Sequence, residues 1–155
     1  MAEHGATVTW HLAPRAEFTV ENYNRDHEWT FPGGEVVQAS ASTDFNGTAS
    51  RVSPEEALIA STSSCHMLTF LALAAKKGYR VLSYVDNPVG SLGRNERDEQ
   101  AITDVTLRPR VVFAEETPIS EDDFHTLHQD ARALCFVANT LNAKITLDPV
   151  LPRLD

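Results

Sequence analysis

The sequence predicts an α+β fold: an antiparallel sheet wrapped around a long buried central helix, with a second helix packed nearby. Three observations predict it. Ala57 to Ala75 is small or apolar almost without a break. Phe124 to Leu141 repeats apolar residues at spacings of three and four. The rest is cut into short β-rich runs by Pro, Gly and Asn. With 155 residues, 42% of them apolar, and no long linker, the chain suits one compact domain over residues 1–155.

From the N-terminal end, Thr7–Leu12 alternates Val8, Trp10 and Leu12 with polar neighbours, the period of a half-buried strand. Glu28–Phe31 and Glu35–Ser42 flank Pro32-Gly33-Gly34, which predicts a hairpin whose turn uses residues tolerant of unusual backbone angles. Thr43–Val52, rich in Ser, Thr, Asn and Gly, is a loop.

Ser53-Pro54-Glu55-Glu56 is a helix start. Ser53 is the N-cap, Pro54 occupies the first helical position, and Glu56 closes a capping box. The helix should run to Lys77 and stop at Gly78, about 24 residues or roughly 36 Å. Because it is apolar nearly all round, it is expected to be buried on every side. A chain of this size has difficulty covering such a helix alone, so a partner subunit is expected to complete the core.

Tyr79–Val85 and Thr103–Phe113 read as strands of one sheet, separated by an exposed, charged excursion at Asn87–Gln100 with a short strand near Val89–Leu92. Ser120 caps the second helix, with acids in its first turn and an Ile119/Phe124 staple. Its apolar stripe is Phe124, Leu127, Ala131, Leu134, Ala138 and Leu141, with Cys135 at the edge. A last strand, Ala143–Leu147, precedes Pro149 and a loosely held tail.

A net charge of −9 argues against a nucleic-acid backbone or an anionic membrane surface as partner. The N-terminal residues show no basic segment followed by an apolar one, and the longest apolar stretch lies around Leu68–Ala75, far short of the ~20 residues of a membrane helix. A soluble, cytoplasmic protein is the expectation. In a reducing compartment two cysteines are not a structural staple. They are either buried filler or redox chemistry.

Cys65 lies midway along the first helix and Cys135 late on the second, so the two thiols have the opportunity to meet in the core. A thiol peroxidase needs such a pair: a thiolate opens the O–O bond, a second thiol captures the sulfenic acid, and an external dithiol restores both. Cysteine is also among the most buried residue types and often serves as a small hydrophobe. A reactive buried thiol needs a nearby cation. Arg25, in Tyr23-Asn24-Arg25-Asp26-His27 just before a strand, is one candidate, although a solvated turn arginine fits the same pattern. Glu55 is placed to orient an arginine as an ion pair, or simply to complement the helix dipole.

Ser53-Pro54-Glu55-Glu56-Ala57-Leu58-Ile59-Ala60, then Ser64-Cys65 and an apolar helix to Lys77-Gly78-Tyr79, resembles the first cysteine motif of the OsmC/Ohr family. This family comprises osmotically inducible protein C and the organic hydroperoxide resistance proteins. Ala133-Leu134-Cys135-Phe136-Val137-Ala138-Asn139 is similar to its second cysteine motif, and Thr106-Leu107-Arg108-Pro109-Arg110-Val111 to the strand before it. Tyr23 to Trp29 resembles the arginine-bearing segment of an OsmC-like branch. In all, the likeness covers roughly Thr7 to Pro149.

The resemblance implies a peroxiredoxin-like thiol peroxidase that reduces organic hydroperoxides. In it Cys65 is peroxidatic, Cys135 resolving, Arg25 thiolate-stabilising and Glu55 arginine-orienting, within an intertwined homodimer. It implies a dithiol reductant, either a lipoylated or a thioredoxin-like protein, and no cofactor or metal; whether hydrogen peroxide is also handled stays open. Phe136 departs from the proline that many members carry there, which bears on substrate preference more than on mechanism. Two other classes compete: a non-catalytic stress-associated or ligand-binding dimer of the same fold, and a zinc protein using His66 beside Cys65, together with His125, His128 and Cys135. The zinc set is disfavoured because adjacent residues on a helix point about 100° apart and His125 is nearly three turns from Cys135. His125 and His128 read instead as surface residues of an acidic helix.

Overall fold

The computed structural model describes residues 2–154. The chain divides into two compact units, Met1–Ala57 and Leu58–Asp155. In the first, β1 (Thr7–Thr9), β2 (His27–Thr30) and β3 (Val36–Ala39) form an antiparallel sheet in that order, with Val8 opposite Trp29 and Trp29 opposite Val37. The β2–β3 turn closes as its residues predict: Gly34 sits at φ +90 and donates to the Phe31 carbonyl, and Phe31 N–H donates to Glu35. β1 is shorter than the alternation suggests, and Val8 remains exposed, because an outer strand three residues long has one partner and nothing packed over that side chain. The expected loop at residues 43–52 contains one 3₁₀ turn, Thr43–Phe45.

Helix α1, Pro54–Lys76, begins in the first unit and continues into the second. Its capping box is formed in full: Glu56 N–H donates to Ser53 Oγ at 3.2 Å, and Ser53 N–H donates to Glu56 Oε2 at 2.8 Å. Gly78, at φ +83, ends it in a left-handed turn in which Tyr79 N–H reaches the Ala74 carbonyl and Gly78 N–H that of Ala75. By length and hydropathy this helix would also satisfy a bilayer span. The helix is not buried on every side. Within the single chain only Thr62, Ser63, His66, Phe70 and Ala74 are fully covered, four of them one turn apart along a stripe, while Leu68 faces out. An apolar composition made every face eligible for burial, but the second unit covers one.

That unit holds β4 (Val81–Val85), β5 (Val89–Arg94), β6 (Gln100–Leu107), β7 (Arg110–Phe113), α2 (Glu121–Leu134), α3 (Phe136–Thr140), β8 (Lys144–Leu147) and β9 (Arg153–Leu154). The run predicted as a single strand over Thr103–Phe113 is two strands in two sheets, ordered β5-β6-β8 and β4-β7-β9. Pro109 has no N–H for a ladder, and the N–H of Arg108 is taken by the Asp86 carboxylate at 2.7 Å, so pairing stops there. The neighbours β5/β6 and β4/β7 are antiparallel, whereas β8 joins β6 and β9 joins β7 in parallel. The tail expected to be loose therefore ends in a strand.

Ser120 caps α2 as predicted, accepting from Asp123 N–H at 3.1 Å. The core joins one face of α1 to α2 and β7 through Phe70, Ala74, Val111, Phe113, Phe124, Leu127 and Ala131. Leu134 was expected on this stripe but is exposed. The helix stops there, and Cys135, in extended conformation, separates α2 from α3.

Candidate active site

The two cysteines meet. Cys65 projects from the middle of α1 and is partly exposed, whereas Cys135, at the α2–α3 junction, is completely buried. Both are free thiols and lie side by side. Burial pushes the Cys135 thiol up, and the adjacent Cys65 thiol pushes it the same way, while the Ala138 N–H, donating to Sγ at 3.5 Å, and Arg132 pull it down. Cys135 Sγ also lies 4.0 Å from the Thr62 carbonyl on α1. The arrangement is asymmetric: Cys65 is partly exposed, while Cys135 is buried beside it with its thiol held protonated.

One residue on from Cys65, His66 turns into the core and meets His128 of α2. The rings are parallel to within 4°, with His66 Nε2 3.0 Å from His128 Nδ1. Phe70 stacks on His128 with centroids 4.3 Å apart, and Phe124 presents its edge at 4.6 Å. Burial lowers His66 to about 4, with Asp86 opposing and Arg132 reinforcing. Burial lowers His128 to about 3, helped by His66 and His125. Both rings are thus neutral at ordinary pH, one nitrogen of the pair donating and the other accepting. The reading of His128 as a surface residue is therefore wrong. Position 128 is one turn beyond Phe124 and three residues before Ala131, so the stripe itself carried the signal for its burial.

Around this pair the polar chemistry continues. Asp86, just after β4, accepts from Ser63 Oγ at 2.5 Å as well as from Arg108 N–H. The Tyr84 hydroxyl is buried with no hydrogen-bonding partner among the described residues, and burial raises its pKa far above the usual range. The five candidate zinc ligands do not converge: His125 is turned outward, 3.8 Å from Glu121, while His66 and His128 are spent on each other.

Arg25 and Glu55 both lie in the first unit, and the structure does not join them. The Arg25 guanidinium donates from Nη1 to the Tyr23 carbonyl at 2.5 Å and from Nη2 to the Val20 carbonyl, with Cζ 3.9 Å from the Tyr23 ring centroid. It is held by its own loop. Glu55, in the first turn of α1, keeps one carboxylate oxygen, Oε2, buried with no partner among the described residues. A buried carboxylate oxygen in this state is suited to a cation.

This fold, with a cysteine at the middle of its long helix and another at the end of the second, defines a class. Residues 47–149 match the OsmC-like protein family model. The chain belongs to that family. An OsmC-like protein of unknown function from Vibrio cholerae is 40% identical, with a TM-score of 0.94 over 97% of this chain and 100% of that one. An organic hydroperoxide resistance protein from Elizabethkingia anophelis shares the fold at 13% identity, with a TM-score of 0.72 over 100% of this chain and 98% of that one. Another from Bacillus subtilis does so at 17% identity, with a TM-score of 0.63 over 94% and 98%. No curated protein sequence matches the chain significantly.

Proposed function

We propose that the protein is a thiol peroxidase that reduces organic hydroperoxides through a Cys65/Cys135 disulfide cycle. The observation that carries this reading is the meeting of a partly exposed Cys65 with a fully buried Cys135. The Cys65 thiolate attacks the terminal peroxide oxygen, breaking the O–O bond; the alkoxide leaves and takes a proton as the alcohol, and Cys65 becomes a sulfenic acid. Cys135 then attacks the Cys65 sulfur, a disulfide forms, and hydroxide leaves with the Cys135 proton as water. An external dithiol, lipoylated or thioredoxin-like, reduces the disulfide. The asymmetry of exposure supports this order, since a peroxide arriving from solvent reaches Cys65 first.

In the proposal Arg25 stabilises the Cys65 thiolate and Glu55 orients Arg25. Glu55 and Cys65 are ten residues apart on one helix, hence about 15 Å along its axis and roughly 80° apart in azimuth, too far to serve one guanidinium within the same straight helix. The glutamate is therefore supplied by a second copy of the chain. The exposed Leu68 on α1, with Leu82, Val85, Val89 and Leu92 exposed on β4 and β5, supports a homodimer that covers them. The cycle belongs in the cytoplasm, where reducing dithiols are abundant.

Turnover tests the reading. Cumene or fatty-acid hydroperoxide and hydrogen peroxide are each supplied with a dihydrolipoyl or a thioredoxin donor. Faster consumption of an organic hydroperoxide than of hydrogen peroxide, with at least one donor, is the expected result. No consumption with either donor would leave a non-catalytic dimer that carries its cysteines as core residues.

A further inference from the structure

Helix α1 carries Cys65 and the buried His66, while α2 carries the buried His128 and ends at its cap Cys135, and both pairs touch. His128 packs against His66 and Phe70, while Cys135, seven residues later, packs against Cys65 and Thr62. The order of these contacts means that α2 runs antiparallel past this stretch of α1. Two points of contact on each helix set their mutual orientation. The remaining contacts between them are apolar, Phe70 and Ala74 against Phe124, Leu127 and Ala131, and such contacts tolerate sliding because they have no direction. The imidazole hydrogen bond is directional and fully buried. Breaking it strands two buried polar nitrogens.

A buried polar pair is a poor way to gain stability, since apolar side chains of the same shape would serve at least as well. Its outer atoms, His66 Nδ1 and His128 Nε2, have no partner among the described residues, so the core already bears a cost to keep it. What it supplies is register. A disulfide requires the two Cβ atoms to lie about 3.5–4.5 Å apart, a tolerance that a small slip of α2 would exceed.

The geometry points to a positioning role for this pair: the His66–His128 hydrogen bond seats α2 on α1 and thereby sets how readily Cys135 bonds to Cys65. The inference rests on reading the two cysteines as a working dithiol. Neither imidazole is a catalytic residue in this account.

The test is disulfide equilibrium and needs no peroxide. The full-length protein is equilibrated in glutathione redox buffers, and the Cys65–Cys135 disulfide is quantified by alkylation and mass. His128→Phe keeps an aromatic ring stacked on Phe70 but loses the hydrogen bond. The expected result is an effective thiol concentration lower by about tenfold, equivalent to about 30 mV. His128→Gln, which keeps a donor and an acceptor, should recover most of it. His66→Leu, close to histidine in volume and without a hydrogen-bonding group, serves as a second variant should His128→Phe fail to fold. A purely structural role would change the melting temperature of these variants and leave the glutathione equilibrium alone, which would overturn the inference. If glutathione cannot close the wild-type disulfide, the dithiol reading itself fails. If it closes equally well in wild type and all variants, only the positioning role fails.

Discussion

His66 and His128 face each other as parallel rings joined at 3.0 Å, in a core where neither is exposed. Their pKa values, about 4 and about 3, lie below that of a solvated histidine, so between those values and about 6.5 the unfolded chain binds protons that the folded one does not. Stability therefore rises with pH through this window. The contribution is complete above about pH 6.5 and is lost progressively as the pH falls through 4 toward 3. Urea unfolding should show a loss on the order of a few kcal/mol between pH 7 and 4 that is markedly smaller in His128→Phe. Equal pH dependence in the two proteins would mean the rings are not buried as a neutral pair.

Arg25 is occupied by the Tyr23 and Val20 carbonyls, and the proposed role requires it to serve the Cys65 thiolate. Arg25→Ala should slow sulfenic acid formation by one to two orders of magnitude, roughly the loss of one charge-assisted interaction. Arg25→Lys should recover part of the rate, because an ammonium lacks the planar fork. Stopped-flow oxidation by cumene hydroperoxide measures this, and unchanged rates in Arg25→Ala would remove the residue from the site.

Glu55 Oε2 is buried and unpartnered among the described residues, and a shared site predicts complementation. Cys65→Ser and Glu55→Ala homodimers should both be nearly inactive. A mixture shown to contain heterodimers should regain activity, because one of its two sites unites an intact cysteine with an intact glutamate. If such heterodimers stay inactive, the glutamate acts within its own chain or not at all.

Much of this was legible because it is local. Ser53-Pro54-Glu55-Glu56 and Ser120 announce helix starts through side chains that satisfy the first N–H groups, and Gly78 announces a stop through a backbone angle that other residues rarely adopt. The two cysteines were legible from residue type and family likeness. Where partners are distant in sequence, reading failed. Nothing near Arg108 says that Asp86 takes its N–H, so the break that sends β6 and β7 into different sheets was hidden, as was the pairing of Arg153 and Leu154 with β7. His128 was misplaced because residue type outweighed its position on the apolar stripe. The uniform apolarity of α1 gave no way to tell the face covered by its own chain from the one bearing Leu68.

The central claim is that Cys65 opens the peroxide and Cys135 closes the disulfide. Reduced protein treated with one equivalent of an organic hydroperoxide should lose both free thiols, become about 2 Da lighter per chain, and yield a peptide joining Cys65 to Cys135. Cys135→Ser should consume one equivalent and stop with a trappable sulfenic acid at Cys65, while Cys65→Ser should consume none. Retention of both thiols in wild type, or oxidation that persists in Cys65→Ser and is abolished in Cys135→Ser, would contradict the account.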